Sequence, residues 1–149
     1  TADEEYMTLC IELAKKAAEK GECPVGAIVV DKAGRIIGEG YNMREVEQMP
    51  TAHAEIIAIE QAAKAMNSWR LTECTLYVTL EPCPMCAGAI INSRIKRLVY
   101  GAFDEKGGAC ASLMEMFDYP FNHRPMVRSR VLQDECAKLL TDFFKDLRT

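Results

Sequence analysis

Apolar residues recur along this chain in two rhythms, and the change from one to the other divides it into elements. Between residues 3 and 20, Tyr6, Leu9, Cys10, Leu13, Ala14, Ala17 and Ala18 keep a three-four spacing that stops at Gly21, which predicts an amphipathic helix. Residues 25–30 and 35–41, joined by the turn Asp31-Lys32-Ala33-Gly34, read as a β-hairpin with a four-residue loop. A polar loop is expected over 42–50. A helix should then run from His53 to about Met66, its apolar positions Ile56, Ile59, Ala63 and Met66 pressing it on the hairpin.

The second half repeats the alternation. A strand over 75–80, a helix from Cys83 to about Arg94 and a strand over 95–101 form a unit whose length implies a parallel pair with a right-handed crossover. Residues 102–111 have loop chemistry, 113–117 suggest a short helix, and 126–132 a strand whose alternation is weak. A closing helix is expected over 133–147, with Cys136, Leu139, Leu140, Phe143, Phe144 and Leu147 at helical spacing. The sum predicts a three-layer α/β/α sandwich: one mixed five-stranded sheet with helices on both faces, in a single domain over residues 1–149. In such sheets chemistry collects at the carboxyl ends of strands, where Cys83 falls.

Charge and cysteine usage narrow the setting. A net charge of −4 argues against a broad nucleic-acid-coating surface and leaves room for a local one. Arg94, Lys96 and Arg97 cluster after the Cys83 helix, and Arg124, Arg128, Arg130, Lys138, Lys145 and Arg148 enrich the last quarter in cations. Seven cysteines, an odd number, point to reduced thiols and a cytoplasmic setting, with Cys10 and Cys136 in the core. The sequence shows neither a charged-then-apolar leader nor an apolar run near 18 residues, so no membrane partner is expected.

The chemistry gathers at Leu80-Glu81-Pro82-Cys83-Pro84-Met85-Cys86, where a strand stops and a helix begins. With Pro84 in the first helical position, both sulfurs lie on one face at the positive end of the helix, which favours thiolate. Histidine is scarce: only His53 and His123 exist, and His53 opens a second helix with Glu55 two residues on. His53, Cys83 and Cys86 would give zinc three ligands and leave a place for water, which zinc can ionise near neutral pH. Glu55 is then the candidate to shuttle protons from that water to a leaving nitrogen, and the reaction class is hydrolytic removal of an amine from a heteroaromatic ring. Two other readings of the same residues are a thioredoxin-like redox pair and a closed structural zinc site completed by Cys23, Cys74, Cys110 or His123.

Together, His53-Ala54-Glu55 and Pro82-Cys83-Pro84-Met85-Cys86 match the His-x-Glu and Pro-Cys-x-x-Cys signature of zinc nucleobase deaminases, and the chain resembles the cytidine-deaminase-like superfamily. Within it, the chain looks like the bacterial tRNA-specific adenosine deaminases of the TadA type over about residues 6–148. The stretches that carry this closer likeness are 24–27, 50–55, 76–83, 112–114, 121–124 and the pair Phe143-Phe144. The resemblance implies conversion of adenosine to inosine at the wobble position of a tRNA anticodon stem-loop, by a homodimer with one zinc per subunit. It implies zinc on His53, Cys83 and Cys86 and proton transfer by Glu55. It further implies that Asn42 hydrogen-bonds the flipped purine, that the Ala54 amide faces the base or its leaving group, and that Asp104 and Lys106 line the RNA channel. Phe144 or Phe143 would shape the anticodon pocket, although both also fit a core stripe, which is the favoured place of Phe143. Cys23, where the family often has valine, and Cys110-Ala111, where a glycine commonly precedes the serine, depart from the pattern. The competing functions are a free nucleobase or nucleoside deaminase and a module in which structural zinc supports RNA or partner binding.

Overall fold

Five strands make one sheet in the computed structural model, which describes residues 1–147; Arg148, counted above among the cations, lies outside the described residues. They are β1 (Gly26–Val30), β2 (Ile36–Tyr41), β3 (Thr75–Leu80), β4 (Arg97–Ala102) and β5 (Met126–Arg128), in spatial order β2-β1-β3-β4-β5. β1 runs antiparallel to both β2 and β3, whereas β3 pairs parallel with β4 and β4 with β5. The sheet is therefore mixed, as the strand-helix-strand pattern implied. Its central strands are near-continuous apolar runs because helices cover both faces.

One face carries α3 (Ala54–Met66) and α4 (Pro84–Ser93), packed through Ala58, Leu76, Val78, Ile90 and Leu98. The other carries α1 (Ala2–Glu19) and α5 (Gln133–Leu147), packed through Met7, Cys10, Ile28, Val99 and Cys136. Cys10 and Cys136 are buried, as their helical positions required. The start of α1 is fixed twice. Thr1 and Glu4 form a reciprocal capping box, and the buried Asp3 carboxylate accepts from Tyr77 Oη at 2.7 Å, Arg97 Nη1 at 2.9 Å and Arg128 Nη1 at 2.6 Å. One carboxylate thus ties the helix to β3, β4 and β5.

Where the structure departs from the periodicity, the cause is long-range. The buried face of α3 is Ala54, Glu55, Ala58, Ile59 and Ala62, while Met66 is exposed and Ile56 and Ala63 are half-buried. Small residues face the sheet because the helix sits at backbone distance from β2: a Cβ on Gly38 would lie 2.2 Å from the Ala58 carbonyl oxygen. The polar stretch 42–50 contains a short helix, α2 (Arg44–Glu47), which caps itself with no side chain of its own. Instead the buried Glu22 carboxylate accepts from the Glu45 N–H at 3.2 Å and the Val46 N–H at 2.7 Å. The expected helix at 113–117 is a 3₁₀ turn at Met116–Asp118, and β5 ends after three residues. On α5 only Cys136 of the apolar stripe is fully buried; Phe144 and Leu147 are exposed.

The far ends of α3 and α4 are held together at the surface. Both helices close on left-handed residues, Asn67 and Arg94. The exposed Trp69 ring lies beneath two guanidiniums, Arg70 at 4.9 Å and Arg94 at 5.7 Å from its centroid. No helix among the described residues is long and apolar enough to cross a membrane.

Candidate active site

Two helix N-termini meet at the carboxyl end of β3. His53 is the N-cap of α3 and Cys83 that of α4, both in extended conformation and neither using its side chain to cap. Pro84 occupies the first turn of α4, where its missing N–H costs nothing. The side chains point instead at one another: His53 Nδ1 lies 3.6 Å from Cys83 Sγ and 3.6 Å from Cys86 Sγ. One nitrogen and two sulfurs fall within 4.8 Å of each other, and among the described residues no other histidine, cysteine or acid joins the group. Cys74, Cys110 and the second histidine are engaged elsewhere, whereas Cys23 stands outside the group on the wall of the adjoining cavity. Cys74 Sγ contacts Met66 Sδ at 3.7 Å, Cys110 Sγ sits 4.0 Å from the Pro82 carbonyl oxygen, and His123 Nε2 lies 2.7 Å from the Ile95 carbonyl oxygen.

Proximity sets the protonation of this cluster. The Cys86 thiol and, more weakly, the His53 imidazole hold Cys83 down to about 4, against the opposing effect of burial. Its neighbour Cys86 is raised, first by that same hydrogen bond and then by burial. The imidazole of His53 is raised by its contact with Cys83. Glu55, buried in the first turn of α3, is pushed up to about 7 by loss of solvation.

The cluster opens into a cavity of about 320 Å³. Asn42, Ala54, Glu55, His53, Cys83, Asp104 and Phe144 all line it, so most of the residues singled out from the sequence converge. Cys86 lies beneath, fully buried. Lys106 is exposed and is not part of the lining; its N–H donates to Asp104 Oδ1 at 3.2 Å. Asn42 also caps its own loop, Oδ1 accepting from the Arg44 N–H at 3.2 Å. Phe143 is half-buried and meets the Phe144 ring edge-on at 5.5 Å.

Arg44 and Glu81 line the cavity without having been given a role by the sequence. Arg44 sits on the unforeseen α2. Glu81 precedes the Pro-Cys motif, and its carboxylate is spent on backbone amides 23 to 31 residues away, a relationship that local patterning does not carry.

This arrangement, a His-Cys-Cys triad that could hold a metal ion and a buried carboxylate at the carboxyl end of β3, is that of a deaminase, and the MafB19-like deaminase family profile matches residues 1–148. A tRNA-specific adenosine deaminase of Bacillus subtilis (strain 168) is 52% identical over 149 residues, covering 99% of this chain and 92% of that protein. One from Haemophilus influenzae is 55% identical over 147 residues, covering 98% and 85%. A solved structure from a study of A-to-I editing by tRNA:A34 deaminases at the wobble position superposes with a TM-score of 0.88 at 44% identity, covering 91% of this chain and 99% of that one. The chain belongs to the MafB19-like deaminases and, within them, to the tRNA-specific adenosine deaminase family.

Proposed function

We propose that the protein deaminates adenosine to inosine at the wobble position of a tRNA anticodon, using one zinc ion per subunit. The observation that carries this reading is the convergence of His53, Cys83 and Cys86 beside the buried Glu55 on one cavity that Asn42 and Phe144 also line. One imidazole nitrogen and two thiolate sulfurs suit zinc, and three protein ligands leave a tetrahedral ion one open position. When bound, zinc supplies a water acidified toward neutral pH. Glu55, its carboxyl pushed up to about 7 by burial, would take a proton from that water and pass it to a ring nitrogen, then take the proton of the hydroxyl left on the ring carbon and pass it to the departing amine.

The remaining roles follow from position. Asn42 presents its amide from the cavity wall, with Oδ1 turned to the Arg44 N–H and the amino end left as a donor for the purine. Ala54 opens α3, so its N–H is among the first-turn amides that have no partner within the helix. Phe144 offers an aromatic face on which an extruded base or its neighbour stacks. Asp104 and Lys106 belong to the loop at the cavity rim and would meet the RNA there.

The reading includes a homodimer and a cytoplasmic setting. The exposed apolar side chains Leu113, Met114, Tyr119, Phe121 and Met126 favour a partner subunit, and seven free cysteines favour a reducing compartment.

The test is a mass measurement on two substrates. Zinc-loaded protein is incubated with an anticodon stem-loop carrying adenosine at the wobble position and, separately, with free adenosine and guanine. Replacement of an amine by a hydroxyl on the stem-loop at a rate far above that on the free compounds is expected. Faster reaction on a free base, or stem-loop binding that does not weaken with salt, would overturn the reading. Glu55→Ala should keep the metal and the fold while turnover falls by roughly 10²–10⁴-fold; unchanged function would point to a non-catalytic module.

A further inference from the structure

A carboxylate that takes no part in the chemistry above holds one wall of the cavity. Glu81 is almost wholly buried, yet among the described residues no cation pairs with it. Five donors do so instead. Oε2 accepts from the N–H groups of Cys110 at 3.0 Å, Ala111 at 2.8 Å and Ser112 at 2.9 Å, and Oε1 accepts from the Asp104 N–H at 3.1 Å and the Ser112 hydroxyl at 2.5 Å. Both ends of the 104–112 loop are therefore tied to one side chain. The middle of the loop closes over it: a Cβ on Gly108 would lie 2.3 Å from the Glu81 carboxyl carbon, so only glycine fits. The loop also pairs with the segment leading to Cys83, through Ala109 N–H to the Pro82 carbonyl at 2.8 Å.

We propose that Glu81 is a positioning residue which sets how the substrate is gripped, acting through Asp104, the residue by which this loop reaches the cavity. The proposal rests on the tRNA-deaminase reading for the identity of the substrate. The physical basis is the count of donors. A carboxylate offers acceptor sites only, and five donors converge on it. Glutamine has nearly the same shape but turns one end into a donor; with its oxygen kept on the three amides it opposes only the Asp104 N–H, since the Ser112 hydroxyl can turn to accept, whereas the reverse orientation opposes three amides at once. The first orientation, with fewer opposed donors, keeps the Cys110 to Ser112 end of the loop and releases the Asp104 end. Asp104 then loses its fixed place while His53, Glu55 and Cys86, which belong to α3 and α4, keep theirs.

The experiment compares Glu81→Gln, Asp104→Ala and the double variant on the anticodon stem-loop. With Glu81→Gln, KM should rise roughly tenfold and kcat change much less, since misplaced contacts to the substrate weaken binding before chemistry. Zinc content should stay at the wild-type level. In the Asp104→Ala background the same substitution should change KM little, because its effect passes through the residue already removed. Amide exchange at Asp104 should be slow in the parent and fast in Glu81→Gln, while Cys110, Ala111 and Ser112 stay protected. Should Glu81→Gln express poorly, Gly108→Ala disturbs the same loop from the other side and should give the same split between KM and kcat. Loss of zinc, a fall in kcat at constant KM, unchanged amide exchange, or an undiminished effect in the Asp104→Ala background would each overturn the proposal. Wild-type preference for a free base would overturn the substrate assignment instead; the exchange data and the double-variant comparison, run on that base, would still decide the role of Glu81.

Discussion

His53 and Cys83 are 30 positions apart in the chain, yet each begins a helix, and Nδ1 of one stands 3.6 Å from Sγ of the other. The site is assembled from helix starts, where side chains project from extended backbone and the local field favours anionic sulfur.

Metal retention should follow the donor set and nothing outside it. Cys86→Ser is expected to lose zinc affinity by more than the roughly 10–100-fold that removal of an outer-shell partner costs, with turnover lost alongside. Cys110→Ser should keep its zinc, since that sulfur faces the Pro82 carbonyl and not the cluster. Metal analysis after dialysis against a chelator checks both, and zinc loss from Cys110→Ser would show that the ligand set is wrong.

Asn42 serves the loop with its oxygen, so its two ends can be tested apart. Asn42→Asp keeps the acceptor for the Arg44 N–H and removes the amino donor. It should melt within a few degrees of the parent while kcat/KM falls about 10–100-fold, the effect of an unmatched polar contact to substrate. Equal loss of stability and activity would mean that the residue acts only as a cap.

The Asp3 cluster predicts an acid limit to stability. Arg97, first of all, holds the Asp3 carboxyl well below the usual range, aided by Tyr77 and Arg128. A group depressed in the folded state contributes its full stabilisation above its unfolded pKa of about 3.9 and loses it as pH falls toward the folded value. Asp3→Asn should therefore cost about 2–3 kcal/mol at neutral pH, as charge-assisted hydrogen bonds of this kind do. It should also flatten the stability curve between about pH 4 and 2, a range set by the ordinary carboxylate value. Denaturant titration across pH reads both, and parallel acid limbs in parent and variant would refute it.

Gly38 lies outside the cluster of His53, Cys83 and Cys86 but sets the height of α3 above the sheet. Gly38→Ala drives a methyl into the Ala58 carbonyl and should cost about 1–3 kcal/mol by overpacking. Because α3 carries His53 and Glu55, activity should fall further than stability alone explains; thermal melting beside kinetics measures the difference.

Local rhythm exposed the larger elements well. α1 and α5 fall within a residue of their expected limits, and Pro84 marks the start of α4. The pairing of His53 with Cys83 and Cys86 was also legible, because histidine is scarce and the spacing matches a known signature. What stayed hidden depends on partners distant in the chain. The helix α2 exists because Glu22 caps it from 23 and 24 positions away, and nothing in Arg44–Glu47 itself announces a helix. The buried face of α3 is alanine-rich because β2 has glycines opposite it, so hydrophobicity alone found Ile59 but missed the alanines that share its face. Glu81 read as one more motif position until its five donors came together.

Trp69 is the single tryptophan of the chain, and it lies where α3 and α4 end, whereas His53 and Cys83 lie where they begin. The length of α3, about 1.5 Å per residue, separates that indole from the cavity. Intrinsic fluorescence will accordingly track the clamp made by Arg70 and Arg94 and the unfolding of the two helices, while remaining dark to what enters the active site. An optical probe of RNA binding has to be introduced nearer Phe144.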